Sequence, residues 1–235
     1  MATLLMAAGP LAGCTSTQQK AARLQLNDAR LRAAQLSTQV AVASRTVAVT
    51  TLSVIREPGR TAFVATVANR GARAVSDLPI SIAYRREPGR VVYLNGAAGA
   101  GYFDAHLPLI GPHQRLAWVY STTRRLPTGA RPFAIVGSSP TVRVTGLAAP
   151  PTIVARVTSA SATDGLAVKV RNRSAITQYE LPVYAVAKRG SKVLAAAGTT
   201  IAQLDGDASE ALRLRLPVSD ADDRVELEAL PTIFR

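Results

Sequence analysis

The sequence predicts an all-β protein in which two tandem β-sandwich domains follow an N-terminal α-helix. From Thr46 onward, short runs of alternating apolar and polar residues are separated by Gly, Pro and Asn, as in strands joined by tight turns. The chain also repeats itself: Asn69 recurs as Asn172 and Pro79 as Pro182, an offset of 103 residues in both cases. The segment between Cys14 and Thr46 lacks Gly and Pro and is rich in good helix formers.

The composition fits a globular protein with a strong positive charge. Of the 235 residues, 48% are hydrophobic and 18% are charged, which gives enough apolar material for packed cores. Aromatic residues make up only 5%, so these cores are built from small and β-branched side chains. The formal net charge of +13 favours anionic partners, namely nucleic acid, phospholipid head groups or acidic envelope polymers.

Residues 1–13 are typical of a signal peptide that ends at the single cysteine. The apolar run Leu4 to Leu11 has the length of a signal-peptide core and is much shorter than the roughly 20 residues that span a membrane. The residues before the thiol, Leu11-Ala12-Gly13-Cys14, resemble the lipobox of bacterial lipoproteins. No Lys or Arg precedes Cys14, so the positive start of such a signal is missing, which a start codon assigned too far downstream explains.

The lipobox resemblance implies an address. Cys14 is then the first residue of the mature chain and carries the lipid, which attaches the protein to a bacterial membrane outside the cytoplasm. Thr15 gives no inner-membrane retention signal of the Asp kind, so the outer membrane is the expected destination in a host with two membranes. An acylated Cys14 leaves no thiol for disulfides or metal ligation. This address, with few aromatics beside the arginines, argues against nucleic acid as the partner.

Residues 14–45 are predicted to form a helical leader. Six residues, spaced alternately by four and three, fall on one stripe of a helix: Ala22, Leu26, Ala29, Ala33, Leu36 and Val40. Two interpretations stay open. The helix packs against its own domain, or it forms a stalk that self-associates through this seam of small residues.

Residues 46–149 and 150–235 are predicted to be the two sandwiches, with seven and six strand-like segments. Pro150-Pro151 joins them stiffly, and the sequence leaves open whether the last strand of the second sandwich is present. The order V-x-N-R followed by L-P-[IV] resembles the Ig-like modules of bacterial envelope proteins of the CARDB and FxLYD type. The resemblance implies binding or spacing elements without catalysis, needing no cofactor.

Two turns with the sequence REPGR, at 56–60 and 86–90, point to a basic surface. Pro-Gly favours a type II turn, so both segments are expected at hairpin tips. In a seven-strand sandwich these tips and the connection at 123–131 lie at one pole, unless an extra crossing strand between 95 and 113 separates them. The predicted anion-binding set at this pole is Arg56, Arg60, Arg85, Arg86, Arg90, Arg124, Arg125 and Arg131. Its candidate partners are an envelope protein or an anionic polymer, and the alternative is a solvated turn surface.

The connection at 95–113 is the second candidate surface. It is long and Gly-rich, and such connections are usually functional. Its residues Tyr102, Phe103, Asp104 and His106 are predicted to form an exposed loop that contacts a partner. The alternative is a metal-dependent binder or hydrolase that uses Asp104, His106 and His113, although their spacing matches no tight zinc motif and no G-x-S-x-G is present.

Overall fold

The computed structural model describes residues 42–87, 90–96, 101–138, 150–161, 164–217 and 223–234, together with Thr17, Lys20, Ala21, Arg23, Leu24 and Val40. The described chain is all-β, with several antiparallel sheets, which confirms the predicted class. Within it, the helical element with defined bounds is a 3-10 turn at Tyr102–Asp104. Cys14 and most of the predicted leader helix lie outside the described residues.

The first half of the chain (residues 42–138) contains seven strands in two sheets. The strands are β1 Val47–Glu57, β2 Arg60–Asn69, β3 Val75–Glu87, β4 Arg90–Tyr93, β5 His106–Ile110, β6 Arg115–Thr122 and β7 Pro132–Val136. One sheet has the order β1-β2-β6, and the other has β3 at its centre, paired with β4, β5 and β7. Ala43 bridges to Gly137, so extended chain begins before the predicted boundary at residue 46.

Strands β4 and β5 follow one another along the same edge of β3. Residues 83–87 of β3 pair with β4 and residues 75–79 pair with β5, both antiparallel. The buried side chain of Asn95 closes the gap between them, because it accepts from the Ile82 amide (2.8 Å) and donates to the carbonyls of Ile80 (2.7 Å) and Asp104 (2.9 Å). The chain between β4 and β5 is therefore an excursion from one interrupted strand.

The second half (residues 150–234) repeats this arrangement with six strands. These are β8 Ile153–Ser161, β9 Gly165–Asn172, β10 Gln178–Arg189, β11 Lys192–Leu204, β12 Ser209–Leu214 and β13 Arg224–Ala229. The sheets have the orders β8-β9-β12 and β11-β10-β13. The uninterrupted β11 takes the place of β4 plus β5, and β13 is present in the position of β7.

A repeated asparagine holds the same end of each half together. The Asn69 amide donates to the carbonyls of Arg73 and Gly111 (2.8 Å each), and its side-chain oxygen accepts from the Gly71 amide (2.9 Å). Asn172 makes the corresponding bonds to the carbonyl oxygens of residues 176 and 205 (2.8 and 3.1 Å) and from the amide of residue 174 (3.0 Å). Both side chains are buried, so they satisfy backbone groups that water cannot reach.

The two halves share a core. On the β1-β2-β6 sheet, the side chains that face away from β3, such as Val64 and Val119, are nonetheless buried. They are covered by the β10-β11-β13 sheet, whose Tyr184, Val186 and Ala196 belong to the same apolar cluster. Strand β11 lies against β1, β2 and β6. The second half packs through its own inner core on the β8-β9-β12 sheet, so four sheets form a stack.

Candidate functional site

The three connections that carry the predicted arginine set lie at one end of the first half. Strand β2 ends beside the start of β3, where Asn69 bonds to the Arg73 carbonyl, so β1–β2 and β3–β4 turn at the opposite end. The β6–β7 connection lies at that end too, because Thr122 pairs with Thr61 and Pro132 with Tyr84. We call the eight arginines of this predicted set the arginine pole. The unpredicted strand β5 does not scatter them, since it runs in the same direction as β4.

The turn chemistry agrees with the sequence prediction where it is described. Gly59 has a φ of +75°, the conformation that position i+2 of a type II turn requires. Beyond Gly59 and its two chain neighbours, no described atom lies within 4 Å of the position where a Cβ would be, so backbone conformation rather than space favours glycine here. Residues 88–89, in the second REPGR turn, lie outside the described residues.

The arginine pole carries an excess of positive charge. Arg60 donates through Nε and Nη2 to one carboxylate oxygen of Glu57 (3.1 and 2.9 Å) and also donates to the Ala196 carbonyl (3.1 Å). The other seven side chains are exposed, and among the described side chains none of them has an ion pair. Arg85 lies 6.0 Å from the centroid of the Phe133 ring, a cation–π contact that restrains it. The pole can therefore accept phosphate or carboxylate groups through several guanidinium forks.

At the equivalent end of the second half, two described cations have acidic partners. Lys188 pairs with Glu226 (2.5 Å) and Arg189 with Asp223 (3.0 Å). Arg189 occupies the position that Arg86 has in the first half, at the repeat offset of 103 residues. The hairpin position is exposed in both halves, but it has an ion pair in the second half and none among the described side chains in the first.

The prediction of an exposed loop tip is wrong for Phe103, and Tyr102 is partly buried. Phe103 is only 9% exposed and packs with Ile233, and Tyr102, Ile176 and Tyr179 border this cluster. The carbonyl of Phe103 also accepts from Trp118 Nε1 (3.2 Å). The physical reason is the shared core, because the second half covers the excursion that would be open in an isolated sandwich. Partner contact through this loop remains a prediction, but the buried side chain of Phe103 offers no surface for it.

Asp104 and His106 also serve the loop. The Asp104 carboxylate accepts from the Gly101 amide (2.8 Å), and burial raises its pKa. The His106 ring stacks on the Tyr102 ring with centroids 4.1 Å apart, while the Tyr102 hydroxyl donates to the Asp77 carboxylate. Burial lowers the pKa of His106, an effect that the charge of Asp77 opposes.

The metal alternative gains no support from the geometry. His106 is buried at the start of β5, whereas His113 is exposed in the β5–β6 turn with a φ of 53°. Among the residues that the structure describes, no group of three or more His, Cys, Asp or Glu side chains could hold a metal ion. No described helix is long and apolar enough to cross a membrane.

Glu228 was not identified from the sequence as a group with a shifted pKa. Glu228 of β13 lies on the face that meets the first half, in register with Tyr184, and bonds to the backbone of Ala117. Burial raises its pKa to about 7, and the nearby charge of Glu226 adds to this rise. The alternation in RVELEAL places both glutamates on one strand face. The sequence could predict this alternation, but it could not predict the contact between Glu228 and Ala117 of the first half.

Comparisons with known proteins identify no family. No family model matches the chain, and no curated protein matches it. One similar solved structure is the C-terminal globular domain of an oligosaccharyltransferase from Pyrococcus abyssi. Its sequence identity is 10% and its TM-score is 0.27, and the alignment covers 80% of this chain and 47% of that one. This distant likeness carries no argument about function.

Proposed function

We propose that this chain is a non-catalytic binding protein of the bacterial cell envelope, anchored outside the cytoplasm by lipid on Cys14. Two Ig-like sandwich domains form its scaffold. The arginine pole binds an anionic partner, either an envelope polymer or an acidic surface of an envelope protein.

The observation that carries this proposal is the contrast between the two equivalent poles. At the equivalent end of the second half, Lys188 and Arg189 are paired with carboxylates, whereas seven exposed arginines in the first half have no such partner among the described side chains. Arginine is suited to this task because its planar guanidinium holds phosphate and carboxylate bidentately. A protein that needed only a solvated turn surface has no need for eight arginines against the two glutamates of the REPGR turns, Glu57 and Glu87.

The scaffold supports the same proposal. The arginines are mounted on hairpins and on the β6–β7 connection of a sandwich whose opposite end is fixed by Asn69. Arg60 is additionally held by Glu57 and by the second half. Groups held by strands lose less conformational freedom when a ligand binds, which favours affinity.

Binding to poly(glycerol phosphate) and to polyglutamate tests the pole. The variant Arg85→Gln/Arg86→Gln/Arg124→Gln is expected to weaken binding at least ten-fold, and the affinity of the unchanged protein is expected to fall steeply with added NaCl. The matched control, Lys188→Gln/Arg189→Gln/Lys192→Gln, removes as many charges from the equivalent pole and is expected to change binding less than three-fold. Equal loss in both variants, or binding that ignores salt, contradicts the proposal.

The anchor is tested separately by mass spectrometry of the N-terminal peptide of the native protein. The expected product begins at Cys14 and carries acyl chains, and it fractionates with membranes. An unprocessed Met1 start in a soluble extract contradicts the anchor and leaves the pole experiment unaffected.

A further inference from the structure

The outward face of the β8-β9-β12 sheet is a second basic surface, separate from the arginine pole. Alternation along β9 buries Leu166, Val168 and Val170 and leaves Lys169 and Arg171 exposed. Register places further cations on the same face, Arg156 beside Lys169 and Arg213 beside Ala167. These four exposed side chains, Arg156, Lys169, Arg171 and Arg213, are called here the basic face.

The basic face has one sign of charge. Its other strand positions are small or apolar, namely Val154, Ser159, Ala167, Ser209 and Ala211. Among the described residues, none of the four cations has an ion pair with a carboxylate. The acidic residues Asp205 and Asp207 precede β12, and Glu210 of β12 is in register with Val170, on the opposite face of the sheet. Lys169 and Arg156 stand directly opposite each other, an arrangement that costs stability in a sheet.

Comparison with the first half shows why the face needs an explanation. At the repeat offset of 103 residues, Lys169 and Arg171 correspond to Thr66 and Ala68, on the sheet that the second half covers. Polar residues of any kind keep the outermost sheet of a stack soluble. Solubility alone explains neither the absence of acidic residues on the strand positions nor the opposed pair of cations.

We propose that the basic face docks on the surface of an anionic lipid bilayer. The face is open and three strands wide, and neighbouring strands lie about 4.8 Å apart, so its cations form a two-dimensional cluster rather than a line. Such a cluster matches a plane of phosphate head groups. No aromatic side chain occupies its strand positions, so base stacking has no platform here. The inference does not depend on the arginine pole or on acylation.

Vesicle binding tests the basic face with the full chain carrying Cys14→Ser, which cannot be acylated. The probes are vesicles of phosphatidylcholine with and without phosphatidylglycerol, and soluble poly(glycerol phosphate) as a lipid-free phosphate. The variant Arg156→Gln/Lys169→Gln/Arg171→Gln is expected to partition about 100-fold less onto anionic vesicles, about five-fold for each charge removed. Arg85→Gln/Arg86→Gln/Arg124→Gln removes as many charges from the pole and is expected to lower partitioning less than three-fold.

The conservative variant Arg156→Lys/Arg171→Lys separates charge from packing. It is expected to keep anionic-vesicle binding within about three-fold, with an unchanged urea midpoint, because headgroup attraction depends mainly on charge. Equal losses in the face and pole variants overturn the proposal. It is also overturned if neutral and anionic vesicles bind alike, or if the face variant loses poly(glycerol phosphate) binding while vesicle binding persists.

Discussion

The two halves of the chain have the same strand order and the same asparagine network, yet their outer surfaces differ. In the first half, the sheet face that carries Val64, Thr66 and Ala68 packs against the second half. The corresponding face of the second half carries Ala167, Lys169 and Arg171 and is open to solvent. The hairpin poles differ in ion pairing. Lys188 and Arg189 of the second half have acidic partners, whereas seven arginines of the first half have none among the described side chains.

This difference shows that position in the stack, rather than the strand framework, decides what each equivalent residue does. The networks around Asn69 and Asn172 are interchangeable in geometry, since each lies within its own half. Side chains that point away from each sandwich are not interchangeable, because one set meets protein and the other meets water.

A cation placed on the covered face is expected to have the largest effect. Val64→Lys is predicted to lower the free energy of unfolding by about 4 kcal/mol, because it buries an unpaired charge between the sheets. The matched variant Ala167→Lys, at the equivalent open position, is predicted to lower it by less than about 1 kcal/mol, through repulsion from Arg213 directly opposite. Urea denaturation measures both. Similar values for the two positions refute the packing of the halves.

Loss of either asparagine is expected to cost about 3 kcal/mol, since each leaves several buried backbone groups without partners. Asn69→Ala and Asn172→Ala are predicted to agree within about 1 kcal/mol, because their networks match. Both variants are expected to unfold in one transition, since the halves share a core. Separate transitions in circular dichroism and tryptophan fluorescence, which reports on Trp118, argue against that coupling.

Glu228 is expected to make stability depend on pH. Its carboxyl has a pKa of about 7 in the folded chain, against an ordinary value of 4.5. The neutral form therefore favours folding fully below about pH 4.5, and this contribution is lost as the pH rises through 7, by on the order of 2 kcal/mol. Glu226 and Lys188 face it and modulate the effect. Glu228→Gln is predicted to flatten urea midpoints between pH 5 and pH 8, whereas the control Glu210→Gln leaves the slope unchanged.

The smallest effect is expected at Glu57, whose ion pair with Arg60 is partly exposed. Glu57→Gln is predicted to change stability by less than about 1 kcal/mol, because exposed pairs contribute little. It removes the carboxylate that pairs with the arginine pole, so binding of poly(glycerol phosphate) is expected to tighten by about two- to three-fold. A weakened affinity in a titration at fixed salt contradicts this account of the pole.

Local patterns predicted much of the fold. Alternation in LAVKVRN placed β9, the Pro-Gly turn placed the β1–β2 hairpin, and the offset of 103 residues placed Asn69 and Asn172 at equivalent positions. Strand β5 was missed because HLPLI is a continuous apolar run inside a Gly-rich connection, without the alternation of a half-exposed strand.

The candidate site was harder to predict. The arginine pole followed from turn chemistry and strand direction, which are local properties. The burial of Phe103 could not be predicted from local properties, because Ile233, which covers it, lies 130 positions away in the chain. Glu228 and the covered face at Val64 depend on the same long-range packing, which leaves no periodic signal in either sequence segment.

At the break between β4 and β5, the side chain of Asn95 makes the hydrogen bonds to β3 that a continuous strand would make. This arrangement affects how the fold can diversify. One amide continues the hydrogen bonding of β3 across the break, so the number of residues that leave the sheet and return is not set by the ladder. Descendants of such a chain can accept longer or shorter inserts at that seam without re-registering a single strand. In the second half the corresponding strand, β11, is continuous and has no insert. Introducing an asparagine in the manner of Asn95 into β11 is therefore a route to displaying a chosen peptide from the second half.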